Sequence, residues 1–336
     1  MGNNEKSSLA DKPTKSFDSL AELPPIKQLF SDSWKTFTLS LLNLFILSLV
    51  SIVGNVSALL IFGLLLVILG LGSGLIKNFI QQPSALSNLS PAILVFVIVL
   101  AVVFGILFML MNYVFRIATV VAVARSEDHL SVKENIKFSL RRVFPLVMTD
   151  FIILFFVIGG SALFVFPALI FYFFFLFVNY EVILNNQSYL KALKRSVLLV
   201  SKRLGEILIR ILILVGITIL LTILIPNLLR KIDPDTYILI ALWSVLLNVL
   251  LGWFSLAFTL QLYKQSQAGL ENEKPPSLSI FWIVTLLGWV IAILLTLIGV
   301  KAVTSPSAQK FFQEQFAPTP EFTIPTLSPI NKTRFL

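Results

Sequence analysis

Long apolar runs separated by short polar stretches set the pattern of this chain. The runs are Phe37–Ile76, Pro91–Phe115, Leu146–Leu184, Leu204–Leu229, Tyr237–Tyr263 and Ile280–Val300. A helix needs about 20 apolar residues to cross a bilayer, so most of these runs read as single spans. Leu146–Leu184 is interrupted by Gly159-Gly160-Ser161 and Pro167, and reads as two short spans joined by a tight turn. Phe37–Ile76 has 40 residues, which would extend ~60 Å as one straight helix. It is expected to be one crossing plus a kinked or interfacial piece, or a hairpin turning at Gly54-Asn55.

Between the runs the period changes. Leu190, Leu193, Val197, Val200 and Leu204 recur every three or four residues, on one face of a helix. Lys191, Lys194, Arg195 and Lys202 fall mostly on the opposite side, with Arg203 beside them. This predicts a helix lying flat on a membrane, its Leu and Val in the acyl boundary and its cations at anionic headgroups. Val132, Ile136, Ser139 and Val143 give a second such helix, with Lys133, Lys137, Arg141 and Arg142. Ser131 and Glu134 at its start have the spacing of a capping box. Ile26–Phe37 is amphipathic again, and Ser33, Ser139 and Ser196 hold similar places in the three segments. A repeated unit of basic helix and span pair is one reading of that correspondence.

Charge then selects a topology. With one net crossing in the first run and the N-terminus inside, 17 of the 26 Lys and Arg lie in inside segments and 7 in outside ones. A hairpin in that run, with the N-terminus still inside, would put both basic helices outside, against the positive-inside rule. An eight-span form with the N-terminus outside is the second choice. The expected architecture is therefore all-α and polytopic. It has about seven spans, a six-span core plus one extra, with basic amphipathic interfacial helices between span pairs. Residues 1–25 read as a disordered inside segment and 26–264 as the core. Residues 265–303 read as a polar loop and seventh span, and 304–336 as a Pro-containing outside tail. Localisation in a cytoplasmic (inner) membrane follows from this reading.

Composition narrows the chemistry. Hydrophobic residues are 57% and charged residues 13%, which fits a membrane protein rather than a soluble domain. The absence of Cys removes disulfides, thiolate metal sites and Cys nucleophiles, and the single His129 gives no basis for a His-rich metal site. The net charge of +9 lies beside apolar runs, so membrane lipids are the expected partner and nucleic acid is not. The cluster Gly70-Leu71-Gly72-Ser73-Gly74 has no following Gly-Lys-Ser/Thr, so it reads as helix packing or a helix break, not a phosphate loop. No cofactor, metal or catalytic constellation is expected.

Ionisable groups inside spans are costly and are functional candidates by default. Here they are Arg116, Asp150, Glu181, Glu206 and Arg210, all toward the inside ends of their spans. Glu206 and Arg210 are four apart, in the favourable order for a helix ion pair. Asn112, Asn179 and Asn248 lie deeper, and are expected to bond one another across helices or to line a polar path.

The order FSDSWKTF, then SVKENIKFSLRRVFPL, then FVFPALIFYFFFLFVNYEVILNNQSYLKALKRSVLLVSKRLGEIL resembles a bacterial membrane domain found attached to some glycerophosphodiester phosphodiesterases. The resemblance covers roughly residues 25–265 and is carried by Glu181 and by Ala192 with Ser196; the family's Pro-Gly is Pro167-Ala168 here. It implies a multi-pass membrane domain without the catalytic domain or its Glu, Asp and His metal ligands. The functional expectation is a non-enzymatic membrane scaffold, regulator or lipid organiser, with a membrane protein as a possible partner. A transporter of small solutes or lipids is the alternative, supported by the possible repeat and the interrupted spans at 146–184.

Overall fold

A computed structural model describes residues 23–68, 91–128, 131–187, 189–232 and 237–305. The chain is an all-α polytopic membrane protein, with no strand among the described residues. Among the described residues, seven helical segments are long and apolar enough to cross a membrane. The helices are α1 (Ile26–Ile68), α2 (Pro91–Ala124), α3 (Val132–Leu140), α4 (Val143–Leu163), α5 (Val165–Phe174), α6 (Val178–Ile183), α7 (Leu190–Lys202), α8 (Leu204–Ile219), α9 (Ile225–Ile232), α10 (Tyr237–Gln267) and α11 (Ser279–Val303). The fourth crossing is α5 and α6 together, and the fifth is α8 continued by α9.

One end of the bundle gathers both basic helices. The Lys35 ammonium lies 4.0 Å from Glu127, just beyond the end of α2, and α3 packs back along α2. The Tyr189 N–H, just before α7, donates to Thr149 Oγ1 near the start of α4 (3.1 Å). Arg203, just after α7, reaches the last carbonyls of α10. This basic end also holds much of the hydrophobic core, including Leu29, Leu146, Phe177, Ile183, Leu193, Leu199, Phe258 and Tyr263. Toward the other end the helices expose Leu59–Ile61, Val95, Phe96, Ile98, Val99, Val102, Val103 and Leu294–Val300. Those side chains face lipid, as such length and apolarity require.

The first run resolves the choice left open by the sequence. α1 is one unbroken helix from Ile26 to Ile68, so the hairpin at Gly54-Asn55 does not form and Ile26–Phe37 is no separate helix. Gly54 lies inside α1, where an added Cβ would meet Met111 and Phe115 of α2 at ordinary contact distance. At roughly 65 Å, α1 outreaches the hydrocarbon layer and carries its polar first turns past it. The glycine cluster at 70–74, His129 and most of both terminal segments lie outside the described residues.

The two short spans expected in Leu146–Leu184 are present, and they join between Gly159-Gly160 and Pro167. Both glycines lie within α4, and the break comes at Phe164, whose backbone is fully extended (φ −169°, ψ 165°). Pro167 sits in the first turn of α5, where its missing N–H costs no helix hydrogen bond. Gly159 forms a notch for α11. A Cβ on Gly288 would run into the Gly159 carbonyl oxygen, and one on Gly159 would lie 2.7 Å from Thr285 atoms. Bare backbone on both sides brings α4 and α11 together, as small residues do in membranes. Rings of Phe155 and Trp289, stacked at 5.5 Å, close the same contact.

The predicted capping box is present. Ser131 Oγ accepts from the Glu134 N–H (3.3 Å) and Glu134 Oε2 accepts from the Ser131 N–H (3.0 Å). The hydrogen bond from the Ser131 backbone, then that from its hydroxyl, holds the Glu134 carboxyl below its usual value. A depressed carboxylate pKa stabilises the folded helix end above its unfolded value, and the effect is lost as pH falls through the folded one. Acidification should therefore lower the protection factors of the first α3 amides, their exchange measured against the intrinsic rate at each pH, in the wild type. Glu134→Gln should show no such acid step, and an equal acid step in that variant would refute the assignment.

Candidate functional site

The helix expected to float on the membrane is built into the protein. In α7 the stripe residues Leu193, Val197 and Val200 are buried in the core, and only the flanking Leu190 and Leu204 are exposed. Ala192 and Ser196 are fully buried on the face toward the break between α5 and α6. Ser196 Oγ donates to the Phe174 carbonyl (2.8 Å) and accepts from the Phe177 N–H (3.1 Å). It satisfies backbone groups freed where the span is interrupted, which a membrane interior would leave orphaned.

The cations of α7 divide into structural and free-standing ones. Arg203, expected at the membrane surface, is buried; its guanidinium donates to the Gln265 (3.3 Å) and Ala268 (2.8 Å) carbonyls. These are the acceptor groups that a helix C-terminus leaves open, at its negative pole. Burial lowers the Arg203 pKa, with Glu206 opposing the shift. Arg195 donates to the Leu270 carbonyl (2.8 Å), and Lys202 pairs with Glu273 (2.8 Å). Lys191 is exposed and Lys194 half-buried, and both border a cleft. On α3, Lys133, Lys137 and Arg141 are exposed, whereas Arg142 stacks over Phe138 at 5.5 Å.

That cleft, of about 770 Å³, lies between α6, α7 and the end of α10 and is lined by Glu181, Asn185, Lys191, Lys194, Gln267 and Glu271 among others. Glu181 is only 1% exposed. Its carboxylate accepts from Asn185 Nδ2 (3.0 Å) and Gln267 Nε2 (3.4 Å) and takes a hydrogen bond from the Tyr263 hydroxyl. Asn185 and Gln267 also donate to the Tyr263 oxygen, at 2.8 and 2.7 Å. Asn185, Tyr263, Gln267 and Glu271 were not foreseen. The spacing of four from Tyr263 to Gln267 was a usable signal, since it stacks the pair on one face of α10.

A second cavity of about 340 Å³ lies behind α6, bordered by Arg116, Thr119, Asn179, Tyr180 and Thr259. Tyr180 stacks on Tyr263 (5.2 Å, 23°), so consecutive residues Tyr180 and Glu181 face different cavities. Arg116 forms an ion pair with Asp150 at 2.9 Å, and the Tyr113 hydroxyl donates to the same oxygen (3.1 Å). Glu206 and Arg210 stand 4.0 Å apart as expected, but both also hold the N-terminal segment. Glu206 accepts from the Leu23 N–H (3.3 Å), and Arg210 donates to the Pro24 carbonyl (2.7 Å).

The deep asparagines do not bond one another. Asn112 and Asn55 exchange two amide hydrogen bonds across α1 and α2, both 3.3 Å. Asn248 donates to Ser244 of its own helix (2.7 Å), and the Asn179 side-chain oxygen is buried without a partner among the described residues. In a double-mutant cycle, Asn55→Leu and Asn112→Leu should each destabilise by about 1 kcal/mol. The double variant should cost less than their sum, because neither amide is then left unpaired. Additive melting shifts would sink the pair.

Fold and site together define a polytopic helical membrane protein with a charged, polar cleft at its basic end. Residues 93–266, from α2 through α10, match the family described as a domain of unknown function (DUF7847), and the chain belongs to that family. No curated protein and no solved structure matches it.

Proposed function

We propose that this is a non-enzymatic membrane domain that organises lipid or regulates a partner, with its basic end in the cytoplasm of a bacterial inner membrane. The observation that carries the reading is the cleft. Lys191 and Lys194, without ion-pair partners among the described residues, border a polar pocket beside the ends of apolar spans. An ammonium on a flexible stem suits phosphate capture, and exposed Lys133, Lys137 and Arg141 add positive charge at the basic end. The positive-inside rule supports the orientation. The likeness to membrane domains that accompany phosphodiesterases fits a domain that serves a separate protein.

A transporter of small solutes or lipids is the second reading. What favours it is the pair of cavities on either side of α6, one of which reaches Asn179.

The test is native mass spectrometry of gently extracted protein. Lys191→Gln with Lys194→Gln should lose phosphate-bearing lipid that the wild type retains. Neutralising exposed Lys133 and Lys137 should have a smaller effect. Equal retention in all three proteins would reject the cleft as a headgroup site.

A further inference from the structure

The cleft holds a buried acidic residue as well as cations. The Glu181 carboxylate is ringed by three neutral donors, from Asn185, Gln267 and Tyr263. No Lys or Arg nitrogen among the described residues lies within 4.0 Å of it. Hydrogen bonds from amides and a phenol orient a carboxylate but do not neutralise it, and a buried unpaired charge is expensive. Two carboxylate oxygens offer about four acceptor positions, so the ring of three leaves room for one more donor. Arg195, the cation on α7 best suited to a bidentate pair, also lines the cleft, but its guanidinium donates to the Leu270 carbonyl and lies beyond ion-pair distance of Glu181. Lys191 and Lys194 remain at the rim, faced by the exposed carboxylate Glu271.

Negative charge at the wall and ammonium groups at the rim complement a ligand with the reverse arrangement. We infer that the cleft binds an amine-bearing phosphate, its ammonium on Glu181 and its phosphate on Lys191 and Lys194. A simple anion would meet repulsion from Glu181 and leave that carboxylate unpaired. A simple amine would leave both lysines unused. The shared chemistry has two sources, the headgroup of a zwitterionic phospholipid and a free phosphorylated amine. This rests on the reading of the cleft as a phosphate site.

The experiment uses the full chain in nanodiscs and compares O-phosphoethanolamine with ethyl phosphate, which has no amine. It also compares phosphatidylethanolamine with phosphatidylglycerol as retained lipid. The wild type should prefer the amine-bearing member of at least one pair by about tenfold or more. Preference among the soluble probes identifies a free ligand, and preference only among lipids identifies a headgroup. Glu181→Gln, which keeps the shape and removes the charge, should lose the preference while still binding the amine-free phosphate. No preference in the wild type overturns the inference, and this comparison needs no variant to fold. A preference that survives Glu181→Gln overturns it as well, while binding that depends on Lys191 and Lys194 would leave the phosphate site standing.

Discussion

Replacing Gly288 with Ala should unseat the last span, whereas Gly299→Ala on the same helix should leave the protein unchanged. The two substitutions add the same methyl group to α11. At Gly299 it meets open space; at Gly288 it meets the Gly159 carbonyl, which is backbone and cannot rotate away. Overpacking typically costs 1–3 kcal/mol when side chains can adjust, so about 3 kcal/mol or more is expected here. Unseating α11 would also separate Trp289 from Phe155, whose carbonyl accepts the indole N–H at 3.2 Å. The check is thermal unfolding in one detergent for the wild type and both variants. Equal melting temperatures for Gly288→Ala and the wild type would contradict the notch.

Arg203→Met should weaken the basic end by roughly 3 kcal/mol or more, because two hydrogen bonds from a charged donor are removed at once. Methionine keeps much of the buried stem volume, so the loss reports the guanidinium rather than a cavity. Arg203→Lys should recover only part of it, since one ammonium does not match two carbonyls as a planar fork does. Hydrogen exchange should rise most over the end of α10 and the loop that follows, where Gln265 and Ala268 lie. Uniformly faster exchange with no peak there would assign Arg203 a general packing role instead.

Span class and count were legible because they depend on run length alone, which needs no knowledge of neighbours. Short-range devices were legible too: the Ser131–Glu134 box and the Glu206–Arg210 pair each lie within one turn of helix. What an apolar stripe touches was not. Leu193 and Val200 would be equally content against acyl chains or against Phe and Leu of other spans, and periodicity cannot separate the two. Partner choice was hidden for a related reason. Arg195 and Arg203 satisfy carbonyls some 60 to 75 residues away, and Asn112 finds Asn55 rather than Asn179 or Asn248. Glu181 was singled out from sequence as an ionisable residue near a span end. Two of its three donors, Tyr263 and Gln267, come from a different span, so the cleft appears only when α6 and α10 are brought together.

The 13 residues of α7 form one stiff rod with two working faces. Lys191 and Lys194 border the cleft, while on another face Ser196 clasps both ends of the gap between α5 and α6. A rod cannot shift on one face and stay still on the other. A ligand that moved α7 toward the cleft would therefore also pull on the joint of the interrupted span, through the two hydrogen bonds of Ser196.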